Sequence, residues 1–502
     1  MWQHGNRSCV WGSGPQLTTR EGEVGRASVA DRPVVPERPG NTGGGKGPEF
    51  RDKDGRKEDW RLAMSLPTPK QVSNLQKTLH AKAKENPSYR FYSLYDKLYR
   101  KDILAHAYDR CRRNGGAPGV DGTSFDRIEE SGREAWLGEL AEDLRGKTYK
   151  SQAVRRVYIP KPNGKTRPLG IPTIRDRVVQ MAAVVVLEPI FEADLQEEQF
   201  AYRNGKSAHY AVWTIHRGIN EGHREVVDAD LSGYFDTIPH AELIRCLSRR
   251  ISDGEMLKLV KSWLKQPVEE TDRRGRKKRS NPAKRTGRGT PQGAPISPLL
   301  SSLYMRRFIL GWKQSGCEQR FGGRIVNYAD DLVILCRREA EEAYKTMVWL
   351  MERLRLKVNE EKTSVRKVPE ESFDFLGYTF GRCYSSKNGR AYLGTRPSRK
   401  SITRLTRRIS EYTDCRNLLK EPEEVVGSLN RLMRGWGNYF SLGPVSKAYR
   451  AVDSHARYRL RQWLRRKYKV KGGGTQKYPD EHLYGELGLL RLELTTRNLP
   501  WA

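Results

Sequence analysis

Two adjacent carboxylates, Asp330 and Asp331, sit between two apolar runs in "RIVNYADDLVILC" (324–336). Both flanks are rich in β-branched and aliphatic residues, so each predicts a short buried strand. A chain that puts two like charges between such strands is constrained to fold them as a hairpin, with the acids at or near its turn. Read alone, Ala-Asp-Asp is also an ordinary solvated turn. A second segment, "EVVDADLSGYFDTIPH" (225–240), repeats the theme: a strand-like run ends at Asp230 and is followed by the aromatic pair Tyr234-Phe235. Two strands that each deliver a carboxylate at one end can form an all-oxygen cage of the kind hard divalent cations prefer. Two such cations suit in-line phosphoryl displacement, and they relieve the repulsion between the acids.

The composition narrows the partner. The chain has 502 residues and a formal net charge of +33, with 93 Lys/Arg against 60 Asp/Glu. An excess of this size points to a polyanion, most simply nucleic acid. The mean hydropathy is −0.77, and the longest purely apolar run, Met181–Leu187, is far too short to cross a bilayer. No membrane association is therefore expected. The seven cysteines are scattered without a CxxC pair, and the nine histidines are dispersed, so any metal must be held by oxygen. No signal peptide is evident, which predicts a cytoplasmic protein of bacterial type.

Along the chain, residues 1–65 are rich in Gly, Pro and charge, and predict a disordered tail dispensable for catalysis, with Met64 as a conceivable start. Residues 66–150 predict a helical N-terminal extension, with Val72, Leu75 and Leu79 at helical spacing and the loop "NGGAPGVDG" at 114–122. Residues 154–172 predict a hairpin around Asn163-Gly164. Residues 396–471 predict basic helices, with twenty Lys/Arg against six Asp/Glu.

Several further blocks occur in order: "KPNGKTRPLGIPTIRDRVVQ" (161–180), "FAYRNGKSAH" (200–209), "GTPQGAPISPLLSSLY" (289–304), "LKVNEEKT" (356–363), "FLGYTF" (375–380) and "LNRLMRGWGNYF" (429–440). With the two acidic segments, these resemble the successive blocks of group II intron-encoded reverse transcriptases with a maturase motif. The resemblance spans about residues 67–490.

It implies an α+β right-hand polymerase: fingers and palm with an antiparallel palm sheet over 151–394, an α-helical thumb or X domain over 395–475, and a C-terminal tail over 476–502. It implies Asp230, Asp330 and Asp331 as catalytic, metal-holding carboxylates for two Mg²⁺ ions, with Mn²⁺ as a substitute. The dNTP would meet Lys165, Arg167, Phe235 (as a steric gate against the 2′-OH), Gln292, Gly293 and Lys362, with Asn359 fixing the local backbone. Gly377 and Tyr378 would grip the primer. Arg431, Arg434, Arg457, Arg461, Arg465 and Arg466 would contact RNA, while Trp436, Tyr439 and Phe440 read as mostly core. From the residues alone, Lys165 and Arg167 also read as a solvated hairpin edge, Phe235 as a core ring, and Gly377 as a strand bulge. The implied partners are intron RNA, an RNA template with DNA primer, dNTPs and target DNA; the oligomeric state is left open. The sequence shows no Cys-rich nuclease segment, so second-strand nicking is not expected. Two other readings stand beside an RNA-directed DNA polymerase that is also a splicing maturase. One is a domesticated reverse transcriptase of repair or phage defence; the other is a non-catalytic RNA-binding splicing factor.

Overall fold

The computed structural model describes residues 68–160, 166–272, 274–385 and 388–498. The tail expected over 1–65, the tip of the 154–172 hairpin and Lys165 lie outside the described residues. No described helix is long and apolar enough to cross a membrane.

The elements used below are, in chain order, helices α1 (Lys70–Glu85), α2 (Lys101–Asn114), α3 (Ile174–Glu192), α4 (Ala208–Asn220), α5 (Ser297–Gln314), α6 (Ala340–Arg353), α7 (Arg399–Tyr412), α8 (Pro422–Tyr439) and α9 (Ser446–Lys467). The strands are β1 (Val154–Pro160), β2 (Thr166–Ile171), β3 (Glu225–Asp230), β4 (Val268–Thr271), β5 (Lys277–Ser280), β6 (Arg324–Tyr328), β7 (Asp331–Cys336), β8 (Ser364–Lys367), β9 (Phe373–Phe375), β10 (Tyr378–Tyr384) and β11 (Ala391–Pro397).

The strands form three sheets, ordered β2-β1-β4-β5, β6-β7-β3-β8 and β11-β10-β9. The β6-β7-β3-β8 sheet is antiparallel throughout. Its two faces follow from strand alternation. Val227, Ala229, Ile325, Leu332 and Ile334 point into the main core, together with α3 and α5. Val226, Val326, Val333 and Leu335 point the other way, into a layer made by α4, β9, β10 and Phe440.

α3 is apolar on nearly every side, so it runs through the core instead of along the surface. Its start is fixed by Thr173, whose side chain accepts from the Asp176 N–H at 3.1 Å. α7, α8 and α9 each carry one apolar stripe and pack into a separate core containing Leu405, Leu429, Met433, Leu460 and the fully buried Trp463. Trp436 touches both this core and the β9–β10 layer, which joins the helical unit to the sheets.

The C-terminal segment differs from the expected tail. Tyr478, Leu483, Leu489 and Leu492 are buried in the α7–α9 core. Asp453 accepts the N–H groups of Leu492 and Glu493 at 3.0 and 2.9 Å. The apolar residues here are too sparse to form a periodic pattern, but each fills a gap between helices.

Candidate active site

The hairpin predicted around the Asp pair is present. β6 and β7 pair up to Tyr328↔Asp331, leaving Ala329 and Asp330 as a two-residue turn. Ala329 has φ +60°, a conformation common at tight hairpin turns but strained by about 1 kcal/mol for a residue with a β-carbon. Buried Asn327 stabilises it: its Nδ2 donates to the carbonyls of Ala329 at 3.0 Å and Asp331 at 3.3 Å.

Asp331 heads β7 and lies directly opposite Asp230, the last residue of β3. Cross-strand partners have Cβ atoms roughly 4.5–5.5 Å apart, so residues a hundred positions apart in sequence become immediate neighbours, with Asp330 one residue away in the turn. Asp228 shares the face of Asp230, two residues earlier. Burial, then the charges of Asp330 and Asp230, push the Asp331 carboxyl up to about 6. Burial, then Asp331, pushes Asp228 up to about 7. Both shifts report negative charge concentrated where water is scarce.

Asp230 is the best-held of the acids. Lys362 Nζ lies 2.9 Å from its Oδ2, and Asn359 Nδ2 donates to the same oxygen at 3.0 Å. The Asn359 N–H donates to the Asp230 carbonyl at 2.8 Å, and the Asp230 N–H donates to Thr363 Oγ1 at 3.3 Å. Lys362 therefore meets a carboxylate, where the sequence suggested the nucleotide phosphates. Among the described residues, no three His, Cys, Asp or Glu side chains close on a single point. The donor set nevertheless fits a hard divalent cation: it is all carboxylate, with no Cys or His in it, and its mutual repulsion is what a cation would relieve.

Beside the acids opens a cavity of about 700 Å³ whose lining includes Arg167, Tyr202, Phe235, Gln292 and Gly293. Phe235 follows Gly233 (φ +57°) and is 9% exposed. Its carbonyl accepts the Thr290 N–H at 2.7 Å, which ties it to the Gln292 loop. Gln292 Nε2 donates to Asp236 Oδ2 at 2.8 Å, and Arg167 Nε donates to Gln292 Oε1 at 3.3 Å. Asp236 thereby fixes which end of the amide faces Arg167. Gly293 has φ +102°, and a β-carbon there would lie 2.5 Å from the Gly170 carbonyl oxygen. The close approach that demands glycine at 293 is thus to strand β2. The 114–122 loop borders the same cavity. Arg177 anchors it, donating to Pro172 O at 2.9 Å, Gly115 O at 3.3 Å and the Ala117 carbonyl.

The primer-grip expectation divides. Gly377 (φ +81°) and Leu376 (φ +49°) make the β9–β10 turn. Gly377 and Leu376 border a cavity of about 810 Å³ that Lys400, Arg404, Arg408, Arg431 and Trp436 also line. Tyr378, by contrast, is fully buried, and its hydroxyl donates to the Tyr439 carbonyl. It supports the turn from inside and has no surface to offer a primer.

The basic residues of the helical unit divide too. Arg431, Arg434 and Arg466 are exposed, and Arg465 Nη1 donates to Gly472 O at 2.7 Å. Arg457 and Arg461 instead hold Asp480 at 2.7 and 2.5 Å. They staple the C-terminal segment to α9, a partner that the sequence reading did not foresee.

Sequence reading missed Asn327, Asp236, Thr363 and Arg177, whose roles exist only through partners distant in sequence. It also missed Lys400, Arg404 and Arg408, which carried only the signal of belonging to a basic stretch. Tyr202 was missed as well. It is 54% exposed at φ +59° and faces the cavity.

An acid-tipped antiparallel sheet beside a nucleotide-sized cavity belongs with polymerases that copy nucleic acid. Residues 159–380 match the model of reverse transcriptase (RNA-dependent DNA polymerase). Residues 402–479 match the maturase-specific domain of group II introns. The chain belongs to the group II intron-type reverse transcriptases, RNA-directed DNA polymerases that carry a maturase domain. It is 30% identical over 367 residues to protein YkfC of Escherichia coli K12, covering 66% of this chain and 93% of that one. It is 35% identical over 237 residues to the group II intron-encoded protein LtrA of Lactococcus lactis, covering 46% of this chain but only 37% of LtrA. It is 23% identical over 432 residues to the putative COX1/OXI3 intron 1 protein of Saccharomyces cerevisiae, covering 70% and 50% of the two chains.

Proposed function

We propose that the chain copies RNA into DNA at the Asp230–Asp330–Asp331 cluster and binds the RNA of its group II intron as a splicing maturase. The observation that carries the catalytic half is the register. Asp230 and Asp331 are cross-strand partners, and the charges of Asp330 and Asp331 act on Tyr202, which lines the cavity with Phe235 and Gln292.

In this reading the β6-β7-β3-β8 sheet is the palm, β1 and β2 belong to the fingers, and α7–α9 form the thumb. The three aspartates, with Asp228 behind them, hold the divalent cations. A bound Mg²⁺ pair, or Mn²⁺ in its place, supplies positive charge for the attacking 3′-oxygen and for the departing pyrophosphate. Lys362 and Asn359 keep the Asp230 carboxylate oriented. Arg167, together with Lys165, neutralises the triphosphate. Phe235 fills the space under the sugar, so a ribose 2′-OH meets the ring. Gln292 presents its carbonyl oxygen towards Arg167, because Asp236 occupies its NH₂, and so sets the pocket wall. Lys400, Arg404, Arg408 and Arg431 face a groove in which the phosphates of the template–primer hybrid are neutralised, with Trp436 at its base.

For splicing, the exposed cations of α8 and α9 and the N-terminal extension bind intron RNA and favour its folded form, while the RNA performs the splicing chemistry. The same protein bound to that RNA would then copy it into target DNA.

Extension of oligo(dT) on poly(rA) with dTTP and Mg²⁺ tests the catalytic half. Wild-type protein extends the primer, and Asp330→Ala protein does not. No extension by wild type removes the polymerase reading. Release of spliced product from a group II intron precursor at low Mg²⁺, with and without the protein, tests the other half.

A further inference from the structure

We propose that the outer face of α4 and the adjoining β10–β11 hairpin form a second nucleic-acid track, built for single-stranded RNA and separate from the polymerase cleft.

α4 packs on the sheet through Ala211, Val212, Ile215 and Ile219. Its opposite face carries Tyr210, Trp213, Arg217 and Asn220, spaced three and four residues apart and therefore in line. Aromatic and cationic groups alternate along it. Lys206 Nζ lies 5.0 Å over the Tyr210 ring. Tyr210 and Trp213 are 5.7 Å apart at an interplanar angle of 31°. The Arg217 guanidinium lies 5.5 Å over Trp213. Beyond the helix the line continues onto a shallow cavity of about 350 Å³ whose lining includes Asn220, Arg224, Arg382 and Tyr392. His216, bonded to Thr395 Oγ1 at 2.9 Å, fixes α4 against β11 so that the two parts adjoin.

Two rings on this line are exposed, Tyr210 by 42% and Tyr392 by 40%; Tyr384 pairs with Ala391 and so points to the other face of the hairpin. Exposed rings cost solubility, so their alternation with cations needs a further reason. Single-stranded nucleic acid supplies one: its bases stack on the rings while its phosphates meet the cations. A duplex keeps its bases stacked internally and would leave the rings unused. The charge favours the same partner. Glu221 is already paired with Arg217 at 2.5 Å and Arg324 at 2.6 Å, and Glu197 with Lys206 at 3.0 Å. Neither Arg224 nor Arg382 has a carboxylate at ion-pair distance among the described residues.

The far end of the track is remote from catalysis: Arg224 precedes β3 and Asp230 ends it, so they sit at opposite ends of one strand, roughly 20 Å apart. The Tyr210 end lies nearer the carboxylates, because Tyr210 packs on Phe200, whose N–H donates to the Asn327 carbonyl at 2.9 Å. The inference does not rest on the polymerase chemistry.

The test uses the full chain and a short oligo(rU) carrying 5-iodouridine, with an unlabelled RNA–DNA hybrid in saturating excess to fill the cleft. Photocrosslinked peptides are mapped by mass spectrometry, and affinity is read by fluorescence anisotropy. The expected result is binding that survives the hybrid, with crosslinks at Tyr210, Trp213 or Tyr392. Tyr392→Ala combined with Arg224→Glu and Arg382→Glu should weaken that binding by at least about tenfold and leave primer extension unchanged. Tyr392→Phe, which keeps the ring, should bind like wild type. Complete displacement by the hybrid, crosslinks confined to the cleft, equal affinity for a blunt RNA duplex, or unchanged binding in the triple variant would each overturn the proposal.

Discussion

Asp331 carries a strain that pH should expose. Its carboxyl is raised to about 6, above the ordinary value near 4, so the folded state holds this proton more tightly than the unfolded chain. The stability associated with that proton is complete below about pH 4 and is lost as pH rises through 6. Asp228, raised to about 7, acts in the same direction over a slightly higher window. In EDTA, the wild-type Tm should therefore fall between about pH 5 and 7.5, and Asp331→Asn should flatten the fall and stabilise the protein near pH 7.5 by about 1–2 kcal/mol. A wild-type Tm that rises through this window would contradict the crowding of acids. Phe235 makes a separate residue-scale prediction. Phe235→Ala should raise incorporation of rUTP relative to dTTP by at least about tenfold, because in the proposed reading this ring is what meets the 2′-OH. An unchanged ratio in single-nucleotide extension would return Phe235 to a purely core role.

The hairpin that bears the acids depends on Asn327. Its amide is buried and makes both bonds that hold the Ala329 turn. Asn327→Ala should cost about 1–3 kcal/mol by thermal unfolding and lower kcat at least about tenfold with a smaller change in KM. A variant with wild-type kcat would show that the turn holds itself. At this scale the sequence was informative where the signal was local. Apolar runs around Asp330-Asp331 gave the hairpin, and Asp230 at a strand end gave its partner. Pairing of residues a hundred positions apart was not legible from spacing; the resemblance of ordered blocks suggested it, and the register showed it. The pairing of Arg457 and Arg461 with Asp480, some twenty residues downstream, was not foreseen, because a basic helix looks the same whether its cations face RNA or an acid. Tyr378 was misread because a β-strand's alternation does not tell which face meets a neighbouring helix. Gly293 was read as meeting the dNTP; the close approach that the fold shows there is to β2.

The whole molecule combines an acidic point with a strongly basic surface. A net charge of +33 requires that RNA affinity fall steeply with salt. If about six phosphates are neutralised, the log–log slope should be about −5 or steeper, read by filter binding between 50 and 300 mM KCl; a flat response would contradict a phosphate-binding surface. Such a field gathers nucleic acid from every side, so it cannot by itself place a primer end. In the proposed reading the placing falls to the cluster of Asp228, Asp230, Asp330 and Asp331, and that cluster works only if divalent ions bind there. Mn²⁺ binding followed by electron paramagnetic resonance on wild-type, Asp230→Asn and Asp331→Asn proteins addresses this without relying on turnover. The account predicts saturable Mn²⁺ binding by wild type, competed by Mg²⁺ and weakened at least about tenfold in each variant. Equal Mn²⁺ binding by all three proteins would contradict it.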